Sequence, residues 1–189
     1  TPSDCFDVAF EAIRMSVQHM TPVILLSDGY IANGAEPWKF PQSENLPNIN
    51  VKFTSKSTDS EDTFQPYQRN EKLARPWVVP GTSGLEHRIG GLEKQNITGN
   101  ISYEPDNHQT MVHLRQAKVD KIAEYIPDQP IDSGKESGKV LVIGWGSTYG
   151  AIKSACLELQ AQGQEVSHIH IRYIRPFPKN LGNLIRQFD

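Results

Sequence analysis

Residues 139–150 read KVLVIGWGSTYG, and this stretch decides the fold of the second half of the chain. Its short apolar run predicts a strand of a parallel sheet. The glycine-rich turn after it predicts the start of a helix over about 148–162. The expected α/β class follows from this strand-turn-helix order.

The helix is expected to bury a stripe of Ile152, Ala155, Cys156 and Leu159. Gly163 is placed as its C-terminal glycine. A second strand is predicted over 166–174 and a further helix over 180–188, which gives a β-α-β-α unit with a right-handed crossover. Because two strands do not make a stable sheet alone, the sheet is expected to continue after Asp189.

The first block, residues 1–35, predicts a helix followed by a strand. Ser3 or Asp4 suits the helix start, and an apolar stripe is expected at Phe6, Phe10, Ile13 and Val17. The apolar run 23–26 then predicts a buried parallel strand. Asp28 follows it as either a ligand group at a strand end or a cap of the next turn. We expect this pair to close an α/β domain whose other strands precede Thr1.

Residues 36–138 are rich in proline, asparagine, glycine, serine and charge, which predicts an interdomain linker with short elements of its own. Short strands are expected at 51–53 and 77–80. A hairpin turn is expected within 97–103, and a helix over 106–125.

Composition limits the function. The chain of 189 residues is 37% hydrophobic and 22% charged with a net charge of −3, which gives no basic footprint for nucleic acid or an anionic membrane. No apolar run has the length of a membrane span, and the first residues lack the pattern of a signal peptide. Two cysteines are too few for a four-iron cluster. These features favour a reducing, cytoplasmic setting.

The glycine turn at 144–150 has two possible roles, in cofactor binding or in packing. A turn at a helix N-terminus can cradle a dinucleotide phosphate, although the expected acidic residue is absent where the second strand ends in Arg172-Tyr173-Ile174-Arg175. An arginine there would suit a 2′-phosphate, so an NAD(P) site stays an alternative. The favoured reading is plain packing, with Gly146 and Gly150 serving a tight turn and a close helix approach.

Segment 81–93 is the candidate for a functional loop. It combines mobile glycines with His87, Arg88 and two carboxylates, and polar glycine-rich loops often carry function. A solvated turn is the simpler alternative. His168 and His170 lie on one face of a predicted strand, but no third metal ligand has an obvious place. No metal site is therefore assigned. No catalytic residue is assigned either, because no Ser-His-Asp or Cys-His arrangement has a suitable spacing.

The chain resembles the alpha subunit of 2-oxoacid:ferredoxin oxidoreductases, most closely the 2-oxoglutarate type. The resemblance covers nearly the whole chain and is carried, in this order, by segments 2–12, 21–30, 80–84, 91–93, 107–108 and 140–148. One difference is that Lys94-Gln95-Asn96 follow Gly91-Leu92-Glu93, where some members have His-Asp-Glu.

The resemblance implies an architecture and a reaction. Residues 1–35 would be the tail of a domain of the thiamine-pyrimidine-binding type, 36–138 the linker, and 139–189 the start of a transketolase C-terminal-like, Rossmann-like domain. The reaction would be oxidative decarboxylation of a 2-oxoacid to an acyl-CoA, with electrons passed to ferredoxin.

It also implies cofactors and partners. Thiamine diphosphate would lie between this subunit and a beta subunit, and the beta subunit would hold magnesium and a 4Fe-4S cluster. Coenzyme A and ferredoxin would act through the complex, while this chain alone would bind no cofactor and be inactive. His87 and Arg88 are then candidates to face an anionic substrate. A non-catalytic binding or assembly module on the same fold remains the alternative.

Overall fold

A computed structural model describes residues 1–55 and 63–189; residues 56–62 of the predicted linker lie outside the described residues. The chain forms two compact units. Unit 1 contains Thr1–Ala12, Ile24–Asn45 and Ala123–Asp189, and unit 2 contains Ile13–Val23 and Leu46–Ile122. The three sequence segments predicted as domains and linker, 1–35, 36–138 and 139–189, are contiguous, unlike these units. That domain assignment stays a prediction.

The described residues contain five α-helices and two β-strands. The helices are α1 Asp4–His19, α2 Gly29–Asn33, α3 Pro105–Lys121, α4 Tyr149–Ala161 and α5 Leu181–Ile185, and the strands are β1 Val140–Trp145 and β2 Val166–Ile171. Short 3-10 helices span Ser43–Asn45, Ile122–Glu124 and Gly146–Thr148.

The sheet of unit 1 confirms the predicted β-α-β-α order. Strands β1 and β2 are parallel, with Val140 opposite Val166 and Trp145 opposite Ile171, and α4 connects them. Four consecutive residues at the start of β2 are buried, so both faces of this strand are covered. The second strand ends at Ile171, three residues before the predicted end.

Helix α4 buries less than its sequence stripe predicts. Cys156 is buried and Ile152 half-buried, but Ala155 and Leu159 are exposed, so the prediction is wrong for those two residues. A sheet of two strands offers a narrow surface, and only the side chains directly above it lose contact with water. The helix ends as predicted, because Gly163 has a left-handed φ of 82°.

The predicted strand at 23–26 is not formed in the described structure. Ile24 is 83% exposed, and Leu25 and Leu26 are also exposed. A β-strand needs a neighbour to receive its backbone hydrogen bonds, and no described residue pairs with this run. Its apolar composition therefore does not produce a strand here.

Helix α1 forms, but its predicted stripe is only partly right. Ile13 is 55% exposed, and the buried side chains are Met15 and His19, which lie four residues apart on one face. Within unit 2, the indole nitrogen of Trp77 donates to the carbonyl oxygen of Val17 across 2.8 Å. This bond ties the C-terminal end of the helix to the segment around Trp77.

Unit 2 confirms the long helix and the hairpin turn. Helix α3 buries Met111, and Ile122 follows in the adjoining 3-10 turn. An antiparallel bridge joins Lys94 to Ile101 around the predicted turn. The predicted strands at 51–53 and 77–80 reduce to one isolated parallel bridge between Phe53 and Trp77.

No helix among the described residues has the length and hydropathy to cross a bilayer.

Candidate functional site: the glycine-rich loop 81–93

The first end of the loop is built by a tight turn. The backbone nitrogen and the hydroxyl of Thr82 both donate to the carbonyl oxygen of Val79, across 3.1 and 2.7 Å. Gly81 and Gly84 have φ values of 88° and 78°, a conformation that favours glycine. Leu85 is buried and anchors this end.

The two predicted site residues, His87 and Arg88, have different surroundings. Nδ1 of His87 donates to the carbonyl oxygen of Leu85 across 2.7 Å, and its ring meets the Phe64 ring edge-on at 5.3 Å. The imidazole is thus half-buried and held in place. Arg88 is exposed, and it forms no ion pair with any residue that the structure describes. Of the two side chains, Arg88 is the one available to an anion.

The second end of the loop is tied to α3 by Glu93. Both oxygens of this carboxylate accept from the guanidinium of Arg115 across 3.1 Å, and Nδ1 of His108 lies 2.9 Å from Oε2. Such two-pronged bonds fix geometry as well as charge. The Arg115 guanidinium, followed by His108, lowers the pKa of Glu93 to about 2.

Lys94 is a buried cation, which the sequence marked only as part of a difference from some members of the resembled family and not as a site residue. Its Nζ donates to the carbonyl oxygens of Gly90 (2.8 Å) and Leu92. The side-chain amide of Asn107 donates to the carbonyl oxygen of Lys94 and accepts from the backbone nitrogen of Asn96, both across 3.0 Å. A lysine is mostly a surface residue, and its spacing from the glycine pair is no recognised motif, so sequence reasoning had no signal for it.

A group of cations lies elsewhere in unit 2. The guanidinium of Arg75 sits 4.5 Å from the centre of the Tyr67 ring, and that of Arg69 sits 5.8 Å from it. Burial lowers the pKa of Arg69, and burial with the nearby Arg69 and Arg75 charges lowers that of Lys118. Arg69 donates to Asn96 and Lys118 to the carbonyl oxygen of Met20, so these charges brace the fold.

In unit 1 the glycine turn after β1 is a packing feature. A β carbon on Gly144 would lie 2.6 Å from Cδ1 of Ile152 and 3.0 Å from the Thr148 hydroxyl. Gly146 has a φ of 64°, which confirms its predicted turn role. Gly150 has open space around it, so assigning the close approach to Gly150 was wrong and Gly144 provides it.

Asp28 serves as a cap. It is the N-cap of α2, and its Oδ1 accepts from the backbone nitrogen of Ile31 across 3.0 Å. A hydrogen bond from the Ser147 hydroxyl, then the one from Ile31, holds the pKa of Asp28 below its usual value. The capping alternative for Asp28 is thus the one that the structure confirms.

His168 and His170 face α4 as a polar pair without a metal site. His168 is fully buried, and neither of its ring nitrogens has a hydrogen-bond partner, nor does Nδ1 of His170. The Tyr149 ring lies 5.9 and 5.0 Å from the two imidazoles. Across residues 1–55 and 63–189, no three His, Cys, Asp or Glu side chains form a group able to hold a metal ion.

Comparison with known proteins supplies the context for the loop. Residues 1–104 match the family model described as "Pyruvate flavodoxin/ferredoxin oxidoreductase, thiamine diP-bdg". The whole chain is 51% identical to 2-oxoglutarate oxidoreductase subunit KorA of Mycobacterium tuberculosis, covering 28% of that protein. It is also 30% identical to 2-oxoacid:ferredoxin oxidoreductase subunit alpha of Saccharolobus solfataricus. That match covers 90% of this chain and 27% of the relative.

A solved structure gives the same picture. The 2-oxoglutarate:ferredoxin oxidoreductase from Magnetococcus marinus, with 2-oxoglutarate, coenzyme A and succinyl-CoA bound, superposes with a TM-score of 0.82 at 26% identity. The match covers 98% of this chain and 32% of the other. This chain therefore spans about a third or less of the relatives named here.

Proposed function

Since this chain belongs to the pyruvate flavodoxin/ferredoxin oxidoreductase family, we propose that it works as part of the alpha subunit of a 2-oxoglutarate:ferredoxin oxidoreductase. The proposed reaction is the oxidative decarboxylation of 2-oxoglutarate to its acyl-CoA, with electrons passed to ferredoxin. The single observation that supports it most is the 51% identity, over all 189 residues, to a 2-oxoglutarate oxidoreductase subunit.

The same proposal assigns roles to parts of the chain. Residues 1–35 belong to the domain of the thiamine-pyrimidine-binding type; the family match supports this type of domain, and it continues to residue 104. Residues 36–138 connect it to a transketolase C-terminal-like domain that starts at 139. The parallel pair β1 and β2 joined by α4 supports that assignment, since it is the repeating unit of such a domain.

The donor groups of this chain do not fit the metal-dependent cofactors of the proposed enzyme. A 4Fe-4S cluster takes about four cysteines, whereas this chain has Cys5, which is exposed, and Cys156, which is buried. Magnesium at a diphosphate needs convergent oxygen ligands, and the described residues form no such metal-binding group. We assign both, with the diphosphate end of thiamine diphosphate, to a beta subunit of the same enzyme.

We place the enzyme in the cytoplasm, where ferredoxin and coenzyme A would reach it.

We propose that the loop 81–93 is the part of this chain that binds the substrate. 2-Oxoglutarate carries two carboxylates, and a guanidinium binds a carboxylate through two parallel hydrogen bonds. Arg88 is exposed on a segment whose two ends are fixed by Leu85 and Glu93. His87 is held beside it by its hydrogen bond to the carbonyl oxygen of Leu85.

The reaction assay tests the proposed function. The full-length subunit is produced together with its beta subunit, and ferredoxin reduction is followed with 2-oxoglutarate or pyruvate, each with and without coenzyme A. The proposal expects reduction that requires coenzyme A and is faster with 2-oxoglutarate. Preference for pyruvate would reject the substrate assignment, and no reduction with either 2-oxoacid would reject the reaction.

A further inference from the structure

Lys94 carries a positive charge in a place where charges are rarely found. The residue is 3% exposed, and its ammonium forms no ion pair among the described residues. The neighbouring carboxylate of Glu93 is directed to Arg115 and His108 instead. A buried ammonium is costly unless its donors are used, and two of the three donors of Lys94 are used by backbone carbonyls of the loop.

The turn that Lys94 contacts has little other support. A β carbon on Gly90 or Gly91 would meet no atom within 4 Å, and Gly91 has a φ of 82°. Within the described part of the chain, no backbone–backbone hydrogen bond involves residues 86–92. The ammonium of Lys94 thus takes the place of the backbone hydrogen bonds that usually shape a turn.

We propose that Lys94 is a positioning residue whose ammonium sets the shape of the turn 88–92 and so directs Arg88 toward the substrate. The inference rests on the proposed function for the role of Arg88. A lysine suits this task because its compact head has three donors, enough for two carbonyls converging from one side. Arg88 precedes the first of those carbonyls by two residues, so a change of the turn moves its side chain.

The shape of the turn is tested by proteolysis of the complete enzyme. Trypsin cuts after Arg88, and mass spectrometry identifies the new fragment that begins at Ile89. Lys94→Met has a similar length but no donors, and cleavage is expected to become at least about fivefold faster, because the freed turn opens more often. Lys52→Met, at an exposed lysine of the same unit, is the matched control and should leave the rate unchanged.

The route through Arg88 is tested by a double-mutant cycle in the complete enzyme. Lys94→Met and Arg88→Ala should each raise the KM for 2-oxoglutarate by about tenfold with kcat within about twofold. The double variant should be no worse than Arg88→Ala, since Lys94 acts through that residue. If Lys94→Met does not fold, Lys94→Gln, which keeps a side-chain NH₂, takes its place in both experiments.

The outcomes separate this inference from the proposed function. An unchanged cleavage rate in a folded Lys94 variant overturns the shaping role, and additive effects on KM overturn the route through Arg88. If cleavage becomes faster while Arg88→Ala keeps normal kinetics, the substrate role of the loop is rejected and the shaping role of Lys94 remains supported.

Discussion

Glu93 and Arg115 form a two-pronged ion pair in which each carboxylate oxygen lies 3.1 Å from a guanidinium nitrogen. The side chains are 22% and 49% exposed. The pair joins the end of the glycine-rich loop to the middle of α3, and His108 adds a third contact to the same carboxylate. The loop therefore has one end that moves only if this pair opens.

Replacing Glu93 with Gln should loosen this end of the loop. Half-exposed pairs contribute little, so the expected loss of local opening free energy is about 1 kcal/mol. The folded pKa of Glu93, about 2, lies below its ordinary value of 4.5, so the native pair stabilises fully above pH 4.5 and weakens as pH falls from there toward 2. Hydrogen exchange of peptides covering 90–103 in the complete enzyme measures both the opening free energy and its pH dependence.

Glu104→Gln is the control for this prediction, since Glu104 is exposed and lies next to the start of α3. It should leave exchange in the same peptides unchanged. Equal exchange in the Glu93→Gln and native enzymes at pH 7 would show that the ion pair does not hold the loop.

The buried His168 predicts acid sensitivity of the sheet in unit 1. Burial, as the main cause, lowers the pKa of His168, while Asp132 opposes the shift and Lys153 adds to it. As the pH falls, His168 therefore gains a proton in the unfolded chain at about pH 6.5, before it does so in the folded chain. Stability is complete above that pH and falls as pH drops toward the lowered pKa. His168→Leu should remove the part of this acid-induced loss of stability that comes from His168. Hydrogen exchange of β2 between pH 7.5 and 5.5 measures it.

His168→Leu should also be neutral or stabilising at pH 7, because neither ring nitrogen of His168 has a partner to lose. A strong loss of protection in β2 at pH 7 would instead mean that these nitrogens are bonded in solution. His113→Leu, on the exposed side of α3, is the control and should leave the pH response of β2 unchanged.

Gly144 and Gly150 give a matched pair for the turn after β1. Gly144→Ala places a methyl group 2.6 Å from Cδ1 of Ile152, so the expected cost is about 1–3 kcal/mol, the usual range for overpacking. Gly150→Ala has open space in a helix and should be neutral or slightly stabilising. The midpoint of thermal unfolding of the complete subunit compares them, and equal midpoints would contradict the packing role.

Much of the fold can be predicted from the sequence where local pattern and packing agree. The apolar run of β1, the glycine turn after it and the order β1-α4-β2 fall in one continuous segment, so local sequence pattern is enough to predict them. The run 23–26 has the same composition as a strand, yet without a neighbouring strand among the described residues it forms none.

The candidate loop could be located from the sequence, but its organisation could not. Glycines beside His87 and Arg88 mark a functional loop by residue type alone. Its anchors depend on Arg115 and Asn107, which lie 22 and 13 residues along the chain from their partners Glu93 and Lys94. Pairings of that kind are set by tertiary packing, so the buried role of Lys94 appears only once the hairpin and α3 are placed.

The most direct test of the account is the KM for 2-oxoglutarate of the complete enzyme in which His87 and Arg88 are both replaced by Ala. Glu86→Ala, an exposed neighbour, serves as the control. The expected KM is higher by about tenfold or more, because a charged hydrogen bond to a substrate carboxylate is lost, and assembly with the beta subunit should be normal. A double variant with unchanged KM and kcat would contradict the assignment of the loop to the substrate.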